Sequence, residues 1–214
     1  MSEYIYVLTN EAMPDLVKIG RTNDLNGRLR ELYKTGVPLP FECHYAVVVD
    51  DPAIAIDIER KLHLLFAENR INKRREFFRV APERVVTALS IGNFETYNLT
   101  LTELGESNGD IEQSDIEAVE REEKRRDRLK LSNIKIPAGM ILTFTRDDSI
   151  ICTTMDDGRV LYDGRELSLS AAALEVLQTK YNNKAKSVSG SVYWMCNGET
   201  LDERRQRLER EENN

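Results

Sequence analysis

The chain opens on a β-rich run, Tyr4 to Thr9, and a second such run covers Leu16 to Arg21. Asn10 to Asp15, containing Pro14, separates them, which predicts two strands joined as a hairpin with a longer loop. Asn23 or Asp24 can cap a following helix, in which Leu25, Leu29 and Leu32 share one face as far as about Tyr33. Phe41 to Val49 reads as a third strand. Asp51-Pro52 then starts a helix by the cap-then-proline rule, with Ile54, Ile58, Leu62 and Leu65 as its apolar stripe to about Glu68. Phe77 to Val80 reads as a short extended piece, and Pro82 opens a helix to about Leu89. These elements predict an α+β unit over residues 1–92: a small antiparallel sheet flanked by helices.

From Gly92 the pattern weakens, and Gly105 to Asp110 reads as a linker. Ser114 and Glu117 have capping-box spacing for a helix to about Leu131. That helix is dense in charge and lacks an apolar heptad, so residues 93–131 are expected to form an acidic, charged helical spacer. A second small α+β unit is expected over residues 132–214. Met140 to Thr145, Ile150 to Met155 and Arg159 to Tyr162 read as strands, with turns at Asp147-Asp148 and Asp156-Asp157-Gly158. A helix from Ser168 to about Thr179, an extended Val192 to Cys196, and a charged helix capped by Thr200 and Glu203 complete it.

Composition narrows the function classes. No apolar run approaches the ~20 residues of a membrane span, and the start, Met-Ser-Glu-Tyr-Ile-Tyr, has no basic region of a secretory signal. Cys43, Cys152 and Cys196 are widely spaced without a CxxC pair, which points to reduced thiols and a cytoplasmic setting. The net charge of −7 is unevenly spread. Residues 1–92 carry 13 basic and 13 acidic side chains, residues 93–131 carry 6 and 11, and residues 132–214 carry 11 and 13. The acidity therefore lies mainly in the middle segment. Screening over about 8–10 Å leaves a local basic patch free to bind phosphate.

The first unit carries a constellation: Tyr4-Ile5-Tyr6, Lys18-Ile19-Gly20, Arg28 eight places after Gly20, and Glu59 on a later helix. With Glu59-x-x-x-His63 and Arg75-Glu76-Phe77-Phe78, it resembles the GIY-YIG nuclease superfamily, in a branch common in phage and bacterial proteins, over roughly residues 3–90. The resemblance implies an endonuclease that hydrolyses DNA phosphodiester bonds. Glu59 would then be the one protein carboxylate on Mg²⁺ or Mn²⁺, with Arg28 on the scissile phosphate. Tyr6 would stand near the attacking water, as general base or through hydrogen bonds, and Gly20 would let the backbone pass closely. Lys18 occupies the place of the family's second-motif tyrosine, so the base is open between Tyr6 and Lys18. His63 lies one turn after Glu59, as a phosphate donor, relay or auxiliary ligand, or else as a histidine bonded in the helix–sheet interface.

Arg70, Lys73, Arg74, Arg75 and Arg79 form the densest basic patch, directly after the Glu59 helix. The expected substrate contacts are Gly20, Arg21, Arg70, Lys73, Arg74, Arg75 and Glu76. In the second unit, Ile136-Pro137-Ala138-Gly139, Leu142-Thr143-Phe144, Asp157-Gly158, Tyr162-Asp163-Gly164, Ser168 to Ala173 and Tyr193-Trp194 resemble the RAMA domain, which implies a DNA-recognition module. Tyr193 and Trp194 could stack on a base, or be core aromatics. The whole reads as a nuclease with a targeting module, of restriction or phage-related type, with DNA as partner and no membrane. A homodimer is one route to cutting both strands. The rival reading is a non-catalytic DNA-binding or regulatory protein that keeps the fold.

Overall fold

The computed structural model describes residues 2–108, 111–126, 131–156 and 158–212. Two compact units divide the chain, Met1–Glu122 and Glu123–Asn214. Both are α+β with antiparallel sheets, as the pattern predicted, and among the described residues no helix is long and apolar enough to cross a membrane.

The first unit contains β1 (Glu3–Thr9), β2 (Val17–Thr22), α1 (Leu25–Leu32), β3 (Glu42–Val49) and α2 (Pro52–Leu65). After a 3₁₀ turn at Ala67–Asn69 come β4 (Phe77–Phe78), α3 (Pro82–Ser90), β5 (Glu95–Tyr97), α4 (Leu101–Asn108) and α5 (Gln113–Arg126). The sheet order is β4-β2-β1-β3-β5, antiparallel throughout. The central strand β1 is buried on both faces, which is why Ile5, Tyr6, Val7 and Leu8 are apolar without alternation. Ile5 and Val7 pack with Ala55 and Leu62 of α2 and Val85 and Leu89 of α3. Tyr6 and Leu8 face the other way, against Leu25 and Leu29 of α1 and against Leu104 and Ile111.

Two differences from the pattern matter for the site. Half of the expected stripe of α2 stands: Leu62 is buried and Ile58 packs against the core, but Ile54 and Leu65 are 50% and 65% exposed, and Ala55 is buried in their stead. The Glu59–His63 side of α2 faces β2. The second difference lies in the segment read as a spacer. There β5 adds a strand beside β3, and Leu104, Ile111 and Val119 are buried. Thr100 and Glu103 cap α4 reciprocally, a signal that the weak apolar pattern hid. Asp115, not Glu117, reaches back at the start of α5, where it accepts from the Glu112 N–H. Gly109 and Asp110 of the expected linker, residues 127–130 of its helix, and the turn residue Asp157 lie outside the described residues.

The second unit starts with a 3₁₀ turn at Leu131–Ile134 and contains β6 (Ile141–Phe144), β7 (Asp147–Thr154), β8 (Val160–Tyr162), β9 (Arg165–Leu167) and α6 (Leu169–Tyr181). It ends with α7 (Gly190–Tyr193), β10 (Trp194–Cys196), β11 (Glu199–Thr200) and α8 (Leu201–Glu212). Its sheet runs β11-β10-β6-β7-β8-β9. The core gathers Leu142, Phe144, Cys152 and Val160 with Ala172, Ala173, Val176, Leu177, Trp194 and Leu201. The β6–β7 turn falls at Thr145-Arg146, and Asp147 and Asp148 already belong to β7. Asp163 and Gly164, both at positive φ, make the turn into β9, a strand the pattern did not predict. Ser168 caps α6 by accepting from Ala171 N–H, and the Thr200–Glu203 box is present in both directions.

Candidate functional site

The site is organised by β2. β4 pairs with β2 at Val17 and Lys18, and at the next edge position the Ile19 N–H donates to the Glu76 carbonyl at 3.2 Å. The Ile19 carbonyl on that edge accepts from His63 Nε2 at 3.0 Å. A carbonyl only accepts, so Nε2 carries the proton. The His63 ring also lies 5.1 Å from Phe78, which gives it the geometry of an interface histidine that ties α2 to β2.

On one face, Tyr6 stands opposite Gly20 in the β1–β2 ladder. A β-carbon at Gly20 would lie 2.5 Å from Tyr6 Oη and 2.8 Å from Cζ, so the missing side chain is what lets the phenol lie across β2. Asp24 caps α1, and that helix delivers Arg28 to the phenol. Arg28 Nε donates to Tyr6 Oη at 3.3 Å, and its Nη1 donates to Glu31 at 3.0 Å. Burial pushes the Tyr6 hydroxyl above its ordinary value; Arg28 opposes this, and the charges of Glu76 and Glu59 add to it. The phenol therefore remains neutral around pH 7.

Lys18 pairs with Leu8 in the same ladder and shares the Tyr6 face. It is 5% exposed, and its Nζ donates to Glu76 Oε2 at 2.6 Å above the Phe77 ring. Burial alone would raise the Glu76 carboxyl. The hydrogen bond and charge of Lys18, with His63 and Arg28 behind them, hold it below the usual carboxylate range.

The other face carries Arg21, next to Ile5 in register. Its Nη1 donates to Glu3 Oε2 at 3.1 Å, and its Nε lies 3.1 Å from Glu59 Oε2 on α2. That Nε–H is not aligned for a hydrogen bond, so charge alone holds the second contact. Sequence reasoning took Arg21 for a substrate contact and missed Glu3, whose position near the start of the chain carries no motif. The charges of Glu76 on one face and Glu59 on the other both oppose ionisation of the Tyr6 phenol.

Arg70, Lys73, Arg74 and Arg75 of the basic patch lie in the loop between the 3₁₀ turn and β4, and Arg79 directly follows β4. Arg70 closes the loop: Nε donates to the Arg75 carbonyl at 2.7 Å, and the guanidinium lies 5.5 Å from the Phe78 ring centre. Lys73, Arg74, Arg75 and Arg79 are exposed, and no ion pair joins them to a carboxylate among the described residues. Arg75 directly precedes Glu76, so this charge borders the Lys18 pocket.

Tyr193 and Trp194 do not form the stacking surface expected of them. Trp194 is 0% exposed, donates from Nε1 to the Leu169 carbonyl at 3.1 Å and meets Phe144 edge-on at 5.3 Å. Tyr193 is 5% exposed and stacks on Phe144 at 5.9 Å. A base could reach neither ring without opening the core, because α6 holds Trp194 at the Leu169 carbonyl and Phe144 and Arg146 lie against the Tyr193 ring. Their apolar bodies were needed inside a unit with a small core.

No curated protein and no solved structure matches the chain. Residues 3–91, which carry every residue of the β2 site, match the family model of the T5orf172 domain, and over that stretch the chain is similar to a phage-associated, nuclease-like domain.

Proposed function

We propose that the protein is a metal-dependent endonuclease of GIY-YIG type that hydrolyses DNA phosphodiester bonds, with the second unit as its DNA-targeting module. The observation that carries this reading is the meeting of Tyr6, Gly20 and Arg28 on one face of β2, with Glu59 of α2 held against Arg21 on its other face. They come from β1, β2, α1 and α2, and an ordinary core has no use for a buried phenol–guanidinium contact beside two carboxylates.

The donor set suits Mg²⁺ or Mn²⁺. No group of three metal-ligating side chains exists among the described residues, and Glu59 Oε1 has no protein partner there. One carboxylate with an open oxygen fits a hard cation that keeps water and takes phosphate oxygens for the rest of its shell. Bound at Glu59, such a cation supplies positive charge to the phosphoryl oxygens and to the departing oxygen. The protein does the rest. Arg28 would turn its guanidinium fork to the scissile phosphate, since its exposed partner Glu31 is readily given up. Tyr6, neutral and held by Arg28, orients the attacking water by hydrogen bonding. Lys18 is committed as a donor to Glu76, which favours a charge-stabilising role over proton abstraction. The basic loop tracks the backbone of the DNA beyond the cut.

The test is nicking of supercoiled plasmid, prepared with and without adenine and cytosine methylation, by wild type and Glu59→Ala. Nicking that requires both the divalent cation and Glu59 supports the nuclease, and a methylation difference supports the targeting role. Retained DNA binding with no cleavage of any substrate replaces this reading by that of a non-catalytic DNA-binding protein.

A further inference from the structure

Arg21 stands in an unusual position for a cation that contacts substrate. Its guanidinium bridges two carboxylates from different elements, Glu3 at the start of β1 and Glu59 in the middle of α2. Their side chains are 13% and 19% exposed, and that of Arg21 is 33% exposed. Two carboxylates this poorly hydrated repel one another and need a cation between them. The two halves of the bridge are unequal. Glu3 receives a directed hydrogen bond, whereas the Nε–H facing Glu59 is buried and unaligned. The contact with Glu59 is therefore the easier one to exchange.

We propose that Arg21 is the resident counter-ion of Glu59 in the nucleic-acid-free protein, holding Oε2 beside the oxygen that would take the divalent cation, and that a substrate phosphate removes this competing charge by drawing Arg21 away. The inference rests on the reading of Glu59 as metal ligand. A guanidinium on Oε2 and a divalent cation on Oε1 of the same carboxylate repel one another across a few ångströms, so each weakens the other's hold on Glu59. Arg21 has the exposure to turn outward, and a phosphate offers its fork two oxygens in the geometry a carboxylate does. Cation and DNA then strengthen one another's binding by the same factor, as linkage requires. Arg21 is on this account a positioning residue that acts through Glu59. The device weakens the hold of Glu59 on metal until a phosphate is present.

The test is Mn²⁺ binding to the full-length chain without DNA, followed by calorimetry. Arg21→Gln is expected to bind Mn²⁺ about tenfold more tightly than wild type, since one repelling charge has left the carboxylate. Arg60→Gln removes the same charge from the neighbouring residue of α2, where Arg60 pairs with Asp57 and not with Glu59. It is expected to stay within about twofold of wild type. A short duplex, added in the Tyr6→Phe background to slow its cleavage, is expected to strengthen Mn²⁺ binding, and to do so much less when Arg21→Gln is also present. If Arg21→Gln fails to fold, Arg21→Lys serves, because a single nitrogen replaces the separate Nε and Nη1 groups that face Glu59 and Glu3; its affinity should fall between wild type and the tenfold gain. Binding lost in Glu59→Gln but no tighter in Arg21→Gln or Arg21→Lys overturns the counter-ion role alone. Binding that survives Glu59→Gln overturns the metal reading and this inference with it.

Discussion

The phenol of Tyr6 lies across Gly20, with its oxygen 2.5 Å from where a β-carbon would stand. The contact explains why a glycine stands between Ile19 and Arg21 in β2, and it fixes the height of the hydroxyl above that strand. Gly20→Ala must displace the ring or the strand. The expected cost is about 1–3 kcal/mol of unfolding free energy, typical of overpacking. The double variant Tyr6→Phe, Gly20→Ala should recover part of that loss, because the closest clash is with the hydroxyl. Urea denaturation measures both, and an unchanged midpoint in Gly20→Ala would show that the ring is free to move.

The Lys18–Glu76 pair predicts a pH dependence with a definite sign. The Glu76 carboxyl is held below its ordinary range in the folded protein. A depressed carboxyl stabilises the fold above its unfolded-state value and loses that contribution as pH falls through the folded value. Stability should therefore fall as pH drops below about 4, more steeply in wild type than in Glu76→Gln. At pH 7 Glu76→Gln should cost roughly 1–3 kcal/mol, between the limits for exposed and buried pairs, since Glu76 is partly solvated and Lys18 is not. Equal acid slopes in the two proteins would contradict the pairing.

Leu104 tests where the first unit ends. It is 1% exposed and packs in the cluster that contains Tyr6 and Leu25. Leu104→Ala should lower the stability of that unit by about 2–5 kcal/mol, as for other buried leucines. Glu117→Ala, on the exposed side of α5, should change it by less than about 0.5 kcal/mol. Differential scanning calorimetry of the full chain distinguishes a packed segment from a solvated spacer, for which both substitutions would be silent.

Trp194 is the only tryptophan, so its fluorescence reports on the second unit alone. Buried against Phe144 and bonded to the Leu169 carbonyl, it should emit at short wavelength and resist iodide. Saturating DNA should leave the emission unchanged, whereas base stacking would quench it. Trp194→Ala should cost about 3–5 kcal/mol through the cavity it opens.

Much of this was legible along the chain, for reasons that are local. Strands β1, β2 and β3, the caps of α1 and α6 and the Thr200–Glu203 box follow from nearest neighbours and from periodicity, so they could be read directly. The gathering of Tyr6, Gly20 and Arg28 could be anticipated because their spacing is carried by one hairpin and the helix after it. Where packing partners are distant, the pattern was silent or misleading. Which side of α2 turns inward was settled by β2, which takes Ala55, Leu62 and the His63 ring and leaves Ile54 and Leu65 to solvent. Leu104 and Ile111 looked like part of a spacer because the surface they cover belongs to β1 and α1, far away in sequence. Glu3 acquires meaning only through Arg21, and Arg21 only through Glu59, since a charge pair across three elements leaves no trace in the order of residues. The sequence by itself determined the elements and the chemical groups. The tertiary structure alone decided which faces are covered and which charges meet, because burial and ion pairing depend on distances in space that no local rule contains.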